Sequence, residues 1–382
     1  MTWIIRAAVV LGVLAALQGP ETPREVVARC WDEVQKAAAD ETPSCLLDAA
    51  AALAPAVLAP RFAELDERQR KRFQEALARA MRRELASYAS DEPDDLDALE
   101  LVGTDADGSL VDLRYALRGR ELTVRFASGR FIDVRWDGSS AKRHYRRQCR
   151  ALLNGYSFAY LIGELEGRGL VILEDFEGHP LGELPTGWKW RGFEQEDEKP
   201  YRVIEENGNR FLRAEDRGEN VLLYKDVRWD SQAYPFVSWR WRIRAVPEGA
   251  DARYEDSADS AAGVYLTYRR RFGLVPETVK FVWSGHLRPG AAFRRPGIGM
   301  PWTVVAGSGA ADDRRWRRVV YNVSDVYRET FGGKPSGRPL GIGVLSDANN
   351  TGSYAAADYD DFVVLKEAGN VSRVDEILEL QN

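Results

Sequence analysis

The sharpest periodicity in the chain lies between residues 66 and 88. Phe73, Leu77, Met81 and Leu85 recur every four residues, Tyr88 extends the stripe, and Arg and Glu fill the opposite face. That spacing predicts an amphipathic helix. Asp66-Glu-Arg-Gln69 supplies its start, an Asp N-cap with Gln three residues on. Another helix is expected around Cys30, carrying Val26, Val27, Trp31 and Val34, and a further one from about Ser44. Ser90-Asp-Glu-Pro-Asp-Asp95 ends the helical pattern, and the period changes to two. Leu99 to Val102 reads as a strand and Asp105-Ala-Asp-Gly108 as a turn. Val111, Leu113, Tyr115 and Leu117 alternate with Asp112 and Arg114; Leu122, Val124 and Phe126 alternate with Thr123 and Arg125; Ile132, Val134 and Trp136 alternate with Asp133 and Arg135. Strict alternation predicts an antiparallel sheet with one buried face. Asp137-Gly-Ser-Ser140 then starts a helix with Tyr145, Cys149, Leu152 and Leu153 on one side, and a short helix through Phe158 and Leu161 follows Gly155.

From Leu170 the pattern is of short strands between turn clusters. Phe211 to Ala214, Val221 to Tyr224, Phe236 to Ile243, Gly263 to Tyr268, Val279 to Trp283, Trp302 to Ala306, Trp316 to Val323, Pro339 to Leu345 and Asp361 to Leu365 fit a sandwich or jelly roll. The expected organisation is thus an α+β domain over residues 22–166, an all-β sandwich over 170–366, and a short helical tail over 367–382. In Ser238-Trp-Arg-Trp-Arg-Ile-Arg244, Trp239, Trp241 and Ile243 share one face and Arg240, Arg242 and Arg244 the other. Three Arg cannot lie unpaired between two sheets, so the tryptophan face is core. The arginine face either meets carboxylates or phosphates of a partner or pairs with acids of the same domain, such as Asp256 and Asp259.

Composition narrows the chemistry. The formal net charge of -6 gives no basic footprint for nucleic acid. Ala7 to Leu17 is an apolar run behind Arg6, too short to span a bilayer, and reads as a cleavable signal peptide ending near residue 18. A periplasmic or secreted protein is therefore expected, with no transmembrane span. Three cysteines follow: Cys30, Cys45 and Cys149. In a simple helical hairpin Cys30 and Cys45 stand about 10 Å apart along the axis, beyond the roughly 7 Å reach of a disulfide, and the pairing stays open.

The order helices, meander, helix pair resembles the MlaC (toluene-tolerance auxiliary) family of periplasmic phospholipid-binding proteins. The residues concerned are Val57-Leu58, Arg61-Phe62, Asp66-Glu-Arg-Gln69 through Phe73, Phe131-Ile-Asp-Val-Arg-Trp-Asp-Gly138 and His144-Tyr145-Arg-Arg-Gln148. The resemblance implies an NTF2-like fold, helices packed on a curved antiparallel sheet, with a phospholipid or other apolar ligand between them. Its candidate wall is Phe73, Leu77, Leu113, Tyr115, Val124, Phe126, Val134 and Tyr145. The second half resembles the bacterial domain of unknown function 3047. That likeness rests on Ser238-Trp-Arg-Trp-Arg242, Asp256-Ser-Ala-Asp-Ser-Ala-Ala262, Phe281-Val-Trp-Ser284, Asn322-Val-Ser-Asp, Ser346-Asp-Ala-Asn-Asn-Thr-Gly352 and Tyr359-Asp-Asp-Phe362. It implies a sandwich shaped like carbohydrate-binding modules and no activity.

His144, His179 and His286 are the only histidines, and no nucleophile elbow, zinc-protease pair, phosphate-cradling loop or dinucleotide fingerprint occurs. An enzyme is not expected. Glu174 and Asp175 open the sandwich and Asp360 and Asp361 close it, so a structural Ca²⁺ joining first and last strands is a candidate. Asp347 and Asn349 form a polar loop after Gly341-Ile-Gly343, where small residues let a ligand approach the sheet. With Arg240, Arg242 and Arg244 they are the candidate surface of the sandwich. The leading expectation is a non-enzymatic envelope protein holding an apolar ligand in its first domain and a partner protein or glycan on its sandwich. The alternatives are a glycan-binding protein with a structural helical domain, and a hydrolase acting on envelope polymers.

Overall fold

The computed structural model describes residues 33, 36, 37, 41–86, 100–117, 120–128, 130–136, 138–191, 200–271, 275–335 and 338–374. The expected signal segment, Cys30 with its helix, and the tail beyond residue 374 lie outside the described residues. The chain divides into two compact units, Met1–Gly155 with Leu161–Gly167, and Tyr156–Tyr160 with Arg168–Asn382.

The first unit contains α1 (Ser44–Val57), α2 (Glu67–Ala86), five strands and α3 (Ala141–Leu153); α4 (Phe158–Glu166) runs across the division. The strands β1 (Glu100–Asp107), β2 (Leu110–Leu117), β3 (Arg120–Ala127), β4 (Arg130–Trp136) and β5 (Ser139–Ser140) form an antiparallel meander in chain order. Helix α2 starts as its capping box dictates: Gln69 N–H donates to Asp66 Oδ1 at 2.8 Å, and Asp66 N–H donates back to Gln69 Oε1 at 3.2 Å. Its stripe is buried through Phe73, Leu77 and Met81, and α1 packs against α2, α3 and β4. The expected turn at 105–108 is shorter. β1 continues to Asp107, which pairs with Leu110, leaving Gly108 at φ 59° in a two-residue hairpin bend. Asp133, placed by alternation on the wet face, is buried because it accepts from Ser140 Oγ at 2.8 Å and Lys142 N–H at 3.1 Å. Ser140 in turn caps α3 by accepting from Arg143 N–H at 3.0 Å.

Cys45 is disulfide-bonded, and Cys149 carries a free, buried thiol that burial pushes up to about 12.

The second unit is a β-sandwich. Its strands are β6 (Leu170–Glu174), β7 (Trp188–Arg191), β8 (Tyr201–Glu206), β9 (Asn209–Asp216), β10 (Leu222–Lys225), β11 (Phe236–Ala245) and β12 (Ala262–Arg271). They are followed by β13 (Val275–Ser284), β14 (Ala292–Arg294), β15 (Trp302–Ser308), β16 (Asp312–Asn322), β17 (Gly341–Val344) and β18 (Ala355–Leu365). One sheet runs β14-β15-β13-β12-β17-β10-β7; the other runs β16-β11-β18-β9-β8, with β6 paired to β18. The tryptophan face of β11 lies between them, as the alternation requires: Trp239 packs on Phe281 at 5.4 Å and Trp241 on Trp283 at 6.2 Å between centroids. The strand expected to reach Val323 stops at Asn322, whose side chain accepts from Ser324 and Asp325 N–H and caps α5 (Val323–Phe331). After β18 the chain returns to the sandwich, where Val374 packs with Leu170, Ile172, Val363 and Leu365.

Candidate functional site

A sandwich offers two outer sheet faces, and here they differ. The outer face of β11 presents Arg240, Arg242 and Arg244, and each meets an acid of its own sheet. Register sets the pairs, with Arg240 opposite Asp360 and Arg242 opposite Asp358 on β18. Arg240 Nη2 lies 2.7 Å from Asp360 and its Nε 2.7 Å from Asp361; Arg242 Nη2 lies 2.6 Å from Asp358 and 2.8 Å from Glu206. Arg244 reaches Asp358 at 3.8 Å. The side chain of Trp316 stacks under the guanidiniums of Arg240 and Arg242 at 5.0 and 4.9 Å. The pairing acids are therefore not Asp256 and Asp259. Strand pairing across some 120 residues decides them, and Asp259 is instead occupied by Asn350 N–H, Thr351 N–H and Thr351 Oγ1. A bulge at Asp361, φ 51°, turns both Asp360 and Asp361 to the arginine side. Carboxylates thus neutralise this face from within the sheet.

The four acids considered for calcium do not converge on one point. Glu174 accepts from Trp188 Nε1 and Lys225 Nζ, each at 2.8 Å, and contacts His179 Nε2 at 3.1 Å. Burial works to raise its carboxyl, but Lys225 and His179 outweigh that and hold it well below the usual carboxylate range. Asp175 receives Glu177 N–H at 3.3 Å, while Asp360 and Asp361 are held by Arg240, Asn209 and Arg318. Among the described residues no three His, Cys, Asp or Glu side chains are grouped to hold a metal ion.

The outer face of the opposite sheet is open. Val264, Leu266 and Tyr268 of β12 point inward and are buried, which leaves Tyr265 and Thr267 outward. Register then assembles a row across four strands: Tyr224 of β10, Gly343 of β17, Tyr265 of β12 and Lys280 of β13. The next row holds Gly341, Thr267 and Thr278. All of these but Lys280 line a groove of about 440 Å³, with Leu222, Asp226 and Leu340 at its side. Its floor is low because Gly343 has no side chain; a methyl there would stand 3.2 Å from Leu222 Cδ1 and 3.5 Å from Tyr265 Cβ. Two half-buried phenol rings flank that floor, and two threonine hydroxyls 3.4 Å apart continue it. The trough thus mixes apolar surface with hydrogen-bonding groups, the Asp226 carboxylate among them.

Polar side chains are buried at the Tyr265 end. Lys280 Nζ lies 5.4 Å from the Tyr265 ring centroid, and its stem crosses Gly263, where a methyl would stand 3.1 Å from Cε. Asp347 pairs through its backbone with Ser260, at 3.0 and 3.1 Å. Asp347 Oδ1 and Ser260 Oγ are buried without hydrogen-bond partners. Burial pushes the Asp347 carboxyl up, Lys280 opposes, and Asp259 adds to the rise. Asn349 is exposed two residues on.

None of the expected surface residues, Arg240, Arg242, Arg244, Asp347 and Asn349, lines the groove. Tyr224, Tyr265, Thr267, Thr278 and Lys280 were not singled out from the sequence. The polar positions between Val264 and Tyr268 were the available signal, but only pairing with the glycine strand makes them neighbours. In the first unit, Phe73, Leu77, Tyr115, Val124, Val134 and Tyr145 are buried, while Leu113 and Phe126 are half-buried. Tyr145 Oη donates to Glu84 at 2.9 Å.

Residues 186–363 match the family described as "Protein of unknown function (DUF3047)". No curated protein matches the chain. Among solved structures, the family 30 carbohydrate-binding module of the cellulosomal cellulase Cel9D-Cel44B of Clostridium thermocellum is 12% identical. The match covers 49% of this chain and 95% of that one with a TM-score of 0.29. The carbohydrate-binding module TmCBM27, described for mannan recognition, is 14% identical over 51% of this chain and 96% of its own, with a TM-score of 0.22.

Proposed function

We propose that the protein is an exported glycan-binding protein and that the sugar lies in the groove over Gly341 and Gly343. The groove carries the reading. A pyranose ring has apolar C–H faces and a polar rim, and a low floor between two phenol rings with flanking hydroxyls offers a complementary surface. Glycine in the middle strand lets the ring approach the backbone closely. Export is supported by the apolar run Ala7 to Leu17 and by the disulfide at Cys45, since disulfides persist in oxidising compartments. Among the described residues no helix is long and apolar enough to cross a membrane. The phospholipid implied by the resemblance of the first unit is the weaker reading. Phe73, Leu77, Val124 and Val134 have no surface open to solvent or to a void of water size, the condition of a filled core.

The test is calorimetric titration with cello-, xylo- and manno-hexaose, wild type against Tyr224→Ala and Tyr265→Ala. Covering one sugar face removes roughly 50 Å² from water, about 1.2 kcal/mol, so each variant is expected to bind about five- to tenfold more weakly. Heats indistinguishable from those of a serum albumin control on every glycan would overturn the proposal. Release of shorter sugars during the titration would instead assign a hydrolase.

A further inference from the structure

Two glycines of β17, Gly341 and Gly343, lie in the groove, and each stands inside a row of side chains. Gly343 lies between Tyr224 and Tyr265. Gly341 lies opposite Thr267, which in turn pairs with Thr278. On its other side, the register that sets Lys225 opposite Ile342 carries one step further to Asp226. Leu223 and Val227 are buried, so Leu222, Tyr224 and Asp226 hold the opposite phase and turn to the groove. A methyl at Gly341 would collide with the Lys225 carbonyl oxygen and stand 3.6 Å from Asp226 Cα, which puts Asp226 at the rim of the floor. The two rows differ in chemistry. One reads phenol, glycine, phenol; the other reads carboxylate, glycine, hydroxyl, hydroxyl. They are two residues apart along the strands, about 7 Å.

Asp226 is the one charged residue among those lining the groove. Its Oδ2 accepts from Lys189 Nζ at 2.6 Å, and the two side chains are 60% and 59% exposed. Among the described residues its Oδ1 accepts no hydrogen bond. An exposed carboxylate with one oxygen open takes an O–H from a sugar in a charge-assisted bond, about twice as strong as a neutral one. A sugar ring whose apolar face lies on Gly343 between the phenols carries its hydroxyls at the rim, and that rim extends toward the second row. A carboxylate on the sugar would meet Asp226 there as a like charge. The ammonium that could offset it is already held by Oδ2. Repulsion of this kind is how a site rejects the wrong ligand.

We propose that Asp226 determines the specificity of the groove: its open oxygen takes a hydroxyl of an uncharged sugar unit, and its charge rejects uronic acids. This role rests on the glycan reading and gives that reading its substrate class, neutral glycans. Thr267 and Thr278 supply the neutral part of the same row, with hydroxyls that donate or accept and discriminate by position.

Full-length wild type, Asp226→Asn and Asp226→Ala are titrated calorimetrically with cellohexaose, xylohexaose, mannohexaose and hexagalacturonic acid, with Tyr265→Ala as the reference for the floor. The ligand-free melting temperature should hardly move in the two Asp226 variants, because an exposed ion pair contributes little to stability. The wild type is expected to bind a neutral hexaose, and to bind hexagalacturonic acid at least about tenfold more weakly. Asp226→Ala should weaken neutral binding about tenfold. Asp226→Asn keeps the shape and removes the charge. It should weaken neutral binding about three- to fivefold and at the same time tighten hexagalacturonic acid. A structural role would not shift the two glycans in opposite directions. Neutral binding unchanged in Asp226→Ala but weakened in Tyr265→Ala overturns the role of Asp226 and leaves the groove standing. A wild type that prefers hexagalacturonic acid overturns the substrate class. A wild type that binds no glycan, or whose binding is untouched by all three variants, overturns both.

Discussion

Glu174 is a heavily bonded carboxylate of the sandwich, and replacing it by Gln isolates its charge. Oε2 accepts from Trp188 Nε1 and Lys225 Nζ, each at 2.8 Å, while Oε1 accepts from the N–H of Asp175 at 3.0 Å and Phe176 at 2.9 Å. A glutamine keeps the second set if its carbonyl takes the Oε1 position. Its NH₂ then faces the indole N–H and the ammonium, donor against donor. Two charge-assisted bonds are lost and a mostly buried lysine loses its counter-charge, which together cost about 3–5 kcal/mol. The carboxyl is held below its ordinary value, so the stability it contributes is present above the unfolded pKa and disappears as pH falls through the lower folded one. Urea unfolding of wild type and Glu174→Gln at pH 7 and at successive pH values below about 4.5 is the measurement. The gap between the two is expected to be widest at pH 7 and to close on acidification. A gap under about 1 kcal/mol at pH 7, below the usual worth of a charged hydrogen bond, or one that does not change with pH, would refute the reasoning.

Two further outcomes follow from groups elsewhere. Asp358→Asn strips a fully buried carboxylate from Arg213 at 2.8 Å and Arg242 at 2.6 Å, and should cost about 3–5 kcal/mol by chemical denaturation. Arg244→Ala, whose contact with the same acid is 3.8 Å and 28% exposed, should cost less than about 1 kcal/mol. Cys149, with its thiol pushed up to about 12 by burial, should resist thiol-disulfide reagents at pH 8 in the folded protein and react stoichiometrically in denaturant.

In the first unit, local rules carried most of the structure. The capping box at Asp66, the four-residue stripe of α2 and the alternation of β2 to β4 are all properties of neighbours in sequence, and each element lies where its period places it. Asp133 departs because its partners, Ser140 Oγ and Lys142 N–H, belong to the next element. Alternation assigns a side chain to a face but does not say what later folds onto that face.

The sandwich sets the harder limit, because its two outer faces are written in the same alternating code. Trp239 and Trp241 announce the core, and the arginines beside them look like the more conspicuous surface. Their partners Asp358 and Asp360 are over a hundred residues away, and the antiparallel register of β11 with β18 is what spends those charges on each other. Across the molecule, Tyr224, Gly343, Tyr265 and Lys280 are individually unremarkable and come from four separate strands. Strand order alone makes them one row. A charged strip is therefore poor evidence for a binding face when the sheet supplies its own counter-charges. A plain row of tyrosine and glycine gains meaning once its neighbours are known. What separates the two faces physically is access: the arginine network meets its acids within the sheet, whereas the row of Tyr224, Gly343 and Tyr265 leaves a groove over its glycine floor. The second face leaves room for a ligand.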